Sequence, residues 1–138
     1  MADFILGMDG KLSHGPAGTT ATDEITNVRD VTLQLEAGEA DVTTRGNSGW
    51  RATAATLREA TLEFTMLWKP SDAAFAAIRD AFLNSTNIAL LALDKANGEG
   101  LDADFAITSF SRGEPLEEGM TVDVTAKLSV FREWTVPA

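Results

Sequence analysis

Nucleophilic or acid–base chemistry needs a base within reach of a reacting group, and the chain offers one imidazole, His14. It stands beside Gly15-Pro16 in a small, polar, breaker-rich stretch, His14 to Thr22, and reads as a solvated histidine of an exposed loop. There is no cysteine, so disulfides and thiolate metal sites are excluded, and a nucleophile would have to be Ser or Thr paired with His14 or a lysine. Asp102 with Asp104, or Glu117 with Glu118, could act as acid and base. Acids spaced i, i+2 on an alternating stretch, however, are more often the polar face of a strand. Asp94-Lys95-Ala96-Asn97-Gly98 places Ala96 and Gly98 where a calcium loop needs oxygen ligands. Gly7, Gly10 and Gly15 lack the spacing of a phosphate loop. Asn84-Ser85-Thr86 matches the glycosylation acceptor pattern, but Met1 to Leu6 carries no basic segment of a secretory signal, so the match is read as chance. The expectation is a protein with no catalytic residue, no metal and no cofactor.

Trp50 is different. It lies in a glycine-rich stretch between Gly49 and Arg51, with Arg45 five residues earlier. Such a tryptophan is either a satellite core residue folded under its own loop or an interface anchor, because Trp and Arg are enriched at binding hot spots. The length of the connection, Glu39 to Arg51, favours the anchor, with Arg45 and Arg51 flanking it.

That connection separates two alternating runs. Val31, Leu33 and Leu35 oppose Asp30, Thr32, Gln34 and Glu36 in the first, over residues 28–37. In the second, residues 56–68, Ala60, Leu62, Phe64, Met66 and Trp68 oppose Glu59, Thr61, Glu63 and Thr65. A period of two is that of strands with one buried face. A short strand is expected within residues 4–13, with an Asp-Gly turn at 9–10. Pro70 ends the second run; Ser71 is then the expected cap of a helix over about 71–84, whose apolar stripe is Phe75, Ile78, Phe82 and Leu83. Residues 88–94 are apolar at consecutive positions and predict a strand covered on both faces. An Asn97-Gly98 hairpin signal leads into Leu101, Ala103, Phe105 and Ile107 at strand spacing. Met120 to Val130 alternates again, and Glu133 to Ala138 leaves the pattern. One domain over 1–138 is expected, mainly β with α+β character: an antiparallel sandwich or half-barrel with one flanking helix.

Twenty-one acids against eleven bases give a net charge of −10, which opposes binding of nucleic acid through its phosphates. It does not oppose letting nucleic acid pass. Outward strand faces rich in Thr, Asp, Glu and Gln but poor in Lys fit such a surface. No apolar run approaches the roughly 20 residues of a membrane helix, and the absence of cysteine suits assembly in a cytoplasm.

The order of strand, long loop, long strand, Pro70-Ser71 and Ala-rich helix, apolar strand, hairpin and closing strand resembles the major tail proteins, or tail tube proteins, of long-tailed bacteriophages and related tail-like particles. The segments that carry the resemblance are Val42 to Trp50, Ala60 to Trp68 and Met120 to Leu128. It implies a hexameric ring with a continuous inner β-barrel, stacked into a tube, with the loop 38–54 touching a neighbouring subunit or ring through Thr43, Thr44, Arg45, Asn47, Trp50 and Arg51. Tape measure, tail terminator and tail-tip proteins would be the other partners, with DNA passing through, no membrane, and the virion tail as the final location. A ring of six would carry about −60. Lumen candidates are Asp30, Gln34, Glu36, Glu59, Glu63, Asp102, Asp104 and Asp123. The tube of a contractile or type VI-like machine has the same organisation. A monomeric β-sandwich binding module would instead present an aromatic platform, whereas the three tryptophans are scattered at 50, 68 and 134. A lipocalin-like carrier would need a closed apolar pocket with converging polar groups.

Overall fold

The computed structural model describes residues 6–96 and 98–136. A 3-10 turn at Gly7–Asp9 is followed by the strands β1 (Lys11–Pro16), β2 (Asp23–Glu24), β3 (Val28–Asp41) and β4 (Thr53–Leu67), then the helix α1 (Ala73–Leu83), then β5 (Asn87–Leu93), β6 (Gly100–Gly113) and β7 (Thr121–Thr135). All strand pairs are antiparallel, in one seven-stranded sheet of order β2-β1-β5-β6-β7-β4-β3. Among the described residues the sheet does not close; β2 and β3 are its ends. Three register shifts between β6 and β7, flanking Asp102 to Ser109, bend it into a half-barrel.

The alternation of β4 is realised as expected: Ala60, Leu62, Phe64 and Met66 are buried, and Glu59 and Glu63 are exposed. They join Leu101, Ala103, Phe105 and Ile107 of β6 and Val122, Val124 and Ala126 of β7 in the core on the concave side. Burying each of the larger side chains contributes roughly 1.5–3 kcal/mol. The helix α1 lies against β5 and β6. Phe75 seats it, edge-on to Trp68 at 4.9 Å and to Phe110 at 5.8 Å. The buried stripe is Ala74, Phe75, Ile78 and Ala81, while Phe82 and Leu83 are exposed. The cap is Asp72, not Ser71: its carboxylate accepts the Phe75 N–H at 3.1 Å.

Other expectations need correction. His14 is a buried strand residue, paired with Leu90 and Asp23, so the exposed loop begins only after Pro16. The Asp9-Gly10 turn closes a 3-10 turn before β1. Both long strands run further than their alternation, which shortens the loop between them from 38–54 to 42–52. The segment Glu133 to Thr135 belongs to β7. The hairpin of β5 and β6 forms, closed by an Asp94 N–H to Glu99 O bond of 3.0 Å; Asn97 of its turn signal lies outside the described residues.

Candidate functional site

On the convex side, the half of the sheet away from β5 is bare. Cross-strand partners share a face, so the register assembles that surface. Thr32, Glu63, Thr125 and Ser109 form one row across β3, β4, β7 and β6. Gln34, Thr61 and Lys127 form a second, Thr65, Asp123 and Ser111 a third, and Glu36 faces Glu59 directly. Four acids (Glu36, Glu59, Glu63, Asp123) meet one base, Lys127. Directly opposed like charges destabilise a strand pair, so the Glu36–Glu59 pair is not there for stability. The hydroxyl of Thr65 donates to Asp123 at 2.9 Å, and none of these acids has an ion pair among the described residues.

Among the described residues, this four-stranded wall has two unpaired edges. β3 ends the sheet, and β6 is paired with β5 only as far as Ala106, so residues 107–113 are bonded on the β7 side alone. β3 and β6 run antiparallel to one another across the wall, so a second copy could continue the ladder edge to edge.

Five of the eight lumen candidates, Gln34, Glu36, Glu59, Glu63 and Asp123, lie together on the bare face. Asp30 is exposed in the irregular stretch between Val28 and Val31, outside the regular rows. Asp102 and Asp104 are a correction. They point to the same side of the sheet, but the connection between β1 and β2 covers them, and both are buried. Asp102 accepts the Thr20 hydroxyl at 2.9 Å and Arg132 Nη1 at 3.0 Å. Asp104 accepts the Gly18 N–H at 3.0 Å and an ion pair with Arg132 Nη2. These carboxylates strap a loop to the sheet and leave none free for a channel. Nothing local in the sequence marks this, because Thr20 and Arg132 lie 82 and 30 residues from Asp102.

At one end of the wall, β4 residues 53–60 pair with β3 alone, while β7 diverges along β6. The β3–β4 hairpin is therefore an arm that overhangs the wall by about 27 Å at 3.4 Å per residue. Its tip is braced by its own bonds. Thr43 N–H donates to Asp41 at 2.9 Å, Ala52 N–H to the Thr43 hydroxyl at 2.8 Å, and Asn47 Nδ2 to Trp50 O at 3.0 Å. The Thr43 hydroxyl and, after it, its N–H hold the Asp41 carboxyl below its ordinary value of 3.8. Ser48 and Gly49, at φ 53° and 83°, turn the chain so that Trp50 is 75% exposed. A satellite-core role for Trp50 is thereby ruled out within the monomer. Thr43, Thr44, Arg45, Asn47 and Arg51 are exposed beside it. Between arm and β7 lies a cleft of about 700 Å³ with Leu57, Phe131 and Trp134 in its walls. These residues are open to solvent in the single chain, and no alternation in the sequence brings them together. Phe131 and Trp134 follow Leu128 at spacing three, since two bulges shift the phase of β7.

Residues 3–130 match the family model described as phage tail tube protein. No curated protein sequence matches. Among solved structures, the chain is similar to one from the tail of an empty gene transfer agent particle, refined with C6 symmetry, at TM-score 0.78 and 19% identity, covering 96% of this chain and 98% of that one. The tail tube of SPP1 follows at TM-score 0.69 and 17% identity, over 93% and 80% of the two chains. A chain of the anti-feeding prophage baseplate is similar at TM-score 0.60 and 8% identity, over 96% of both. At these identities the likenesses bear on the fold.

Proposed function

The chain belongs to the phage tail tube protein family and is a structural tube subunit, and we propose that it polymerises as stacked six-membered rings whose bore, lined by the bare polar wall, conducts DNA. The observation that carries this reading is the pair of unpaired edges on one wall. Pairing β3 of one copy with residues 107–113 of β6 in the next satisfies both edges and, around six copies, closes a barrel. With about 24 strands, a spacing of about 4.8 Å and a tilt of about 40°, the backbone radius is about 24 Å, which leaves room for a duplex after side chains.

The direction of the wall follows from bulk. α1, β5, β1 and β2 all lie away from the bare face or beside it, and six copies of them fit only outside a closed ring. The bare face then borders the bore, with Gln34, Glu36, Glu59, Glu63 and Asp123 toward the channel. Phosphates near this surface are repelled, so no counterion-releasing contacts hold the DNA. The arm reaches past its own ring, with Arg45, Trp50 and Arg51 as contacts to the next. Ends of such a tube need capping partners, and a measured length needs a template; tail terminator, tail-tip and tape measure proteins would supply these.

Sedimentation with negative-stain microscopy of purified protein, with and without a tail-tip initiator, tests the proposal. Rings or tubes with a central channel are expected. A monomer at every concentration, initiator included, would overturn it.

A further inference from the structure

The wall has two unlike ends. β3, β4, β7 and β6 are antiparallel neighbours, so the β3–β4 loop and the β6–β7 turn lie at opposite ends of it. The loop, residues 42–52, carries Arg45 and Arg51, no acid, and the exposed Trp50. The turn, Glu114-Pro115-Leu116-Glu117-Glu118-Gly119, carries three acids, no base, and Leu116, which is 100% exposed. Glu114 is engaged by Arg112 at 3.2 Å, and Arg112 also sits over the Trp68 ring at 4.9 Å. Glu117 and Glu118 have no ion pair among the described residues, and neither have Arg45 and Arg51. Lys69, one residue beyond Trp68, whose N–H donates to Met120 O, and Arg29 at the start of β3 are further bases at the acidic end.

Resting on the tube reading above, we infer that the acidic β6–β7 turn of one copy is the receptor for the Arg45–Trp50–Arg51 loop of a second copy in the adjacent ring, with Leu116 against Trp50 and Glu117 and Glu118 against the two arginines. Two observations independent of charge support the match. The arm projects beyond the wall along the strand direction, toward where the opposite end of a stacked copy must lie. Each tip also presents large apolar side chains that its own chain leaves uncovered, Trp50 and Val42 on the loop and Leu116 on the turn. Contact between different patches is head-to-tail, so it does not close and propagates a filament. It also makes the tube polar, since every ring offers loops at one end and turns at the other. Opposed charges set the polarity, because loop-to-loop or turn-to-turn stacking would face like charges.

Charge swapping tests this in the full chain. R45E/R51E carries acidic tips at both ends, and E117R/E118R carries basic tips at both. All four residues are exposed, so each variant should fold and form rings as the wild type does, checked by circular dichroism and negative stain. Each alone should lose at least tenfold in sedimentable tube. A mixture of preformed rings of the two should regain tubes, because every loop then meets a turn of opposite charge when the rings alternate. Wild-type polymerisation by either variant alone, or no recovery in the mixture, would overturn the inference while leaving the tube reading intact. Absence of rings and tubes from the wild type itself would overturn both.

Discussion

Arg132 is the single cation for two buried carboxylates, and replacing it by methionine isolates what that cluster contributes. In the wild type the guanidinium bridges Asp102 and Asp104, and the remaining acceptor positions hold Thr20 and Gly18 of the β1–β2 connection. The methionine side chain would keep most of the length of the arginine but leave two carboxylates without a counter-charge beneath a loop. Removing one partner of a buried ion pair costs about 3–5 kcal/mol. The Arg132 side chain is 23% exposed, so water reaches part of the site and the expected loss is near the lower bound, about 3 kcal/mol. At about 2.1 cal/mol/K per residue, that lowers Tm by roughly 10 °C. With a urea m-value of about 1–2 kcal/mol/M, the midpoint falls by about 1.5–3 M. Urea titration followed by tryptophan fluorescence reads both midpoint and slope. The triple variant D102N/D104N/R132M carries no buried charge and should regain most of the loss. A loss below about 1 kcal/mol in R132M, or no recovery in the triple variant, would refute the cluster as a strap that depends on charge balance.

Further outcomes follow from the wall and the arm. Trp50→Ala should change monomer stability by less than about 0.5 kcal/mol, as expected for an exposed site, yet sharply reduce polymerisation; sedimentation beside a thermal melt separates the two, and a variant that fails to fold would make Trp50 a core residue. E59K/E63K particles should keep intact tubes but eject DNA several-fold more slowly, and more so at low salt; ejection at the normal rate would remove both residues from the bore. The lowered pKa of Asp41 means that its bonds to Thr43 favour the folded loop above the ordinary value of 3.8 and lose that contribution as pH falls through the lower folded value. Amide exchange of the monomer should therefore show protection at Thr43 falling only below about pH 4, with Asp41→Ala unprotected throughout.

The sequence shows structure wherever one side of a strand or helix is buried. β4 from Ala60 to Met66 and β7 from Val122 to Leu128 alternate because their concave face is core. The distal arm, Gly38 to Asp41 against Thr53 to Arg58, has solvent on both faces of the single chain, and no period two develops to announce it. The bulges of β6 and β7 hide the end of β7 in a different way, by turning spacing two into spacing three at Leu128, Phe131 and Trp134. His14 next to Gly15-Pro16 has the composition of a loop, yet the ladder to β5 holds all three in a strand. Acids at 102 and 104 have the spacing of a solvated face, and only a distant loop and a distant arginine distinguish them from Glu59 and Glu63. Trp50 reads in the sequence as a residue outside the core because no apolar pattern around it gives the indole a core to enter, and the structure leaves it exposed. Leu116 in its acidic turn carried no such signal, since a lone leucine between glutamates reads as an ordinary surface residue.

Cryo-microscopy of the assembled protein, resolved to side chains, decides how the wall is placed and which edges pair. A six-fold tube is expected in which β3 of one copy pairs with the free edge of β6 in its neighbour, Glu59, Glu63 and Asp123 face the bore, and α1 lies outside. A tube with α1 toward the bore, or with β3 unpaired at the ring boundary, would contradict that arrangement.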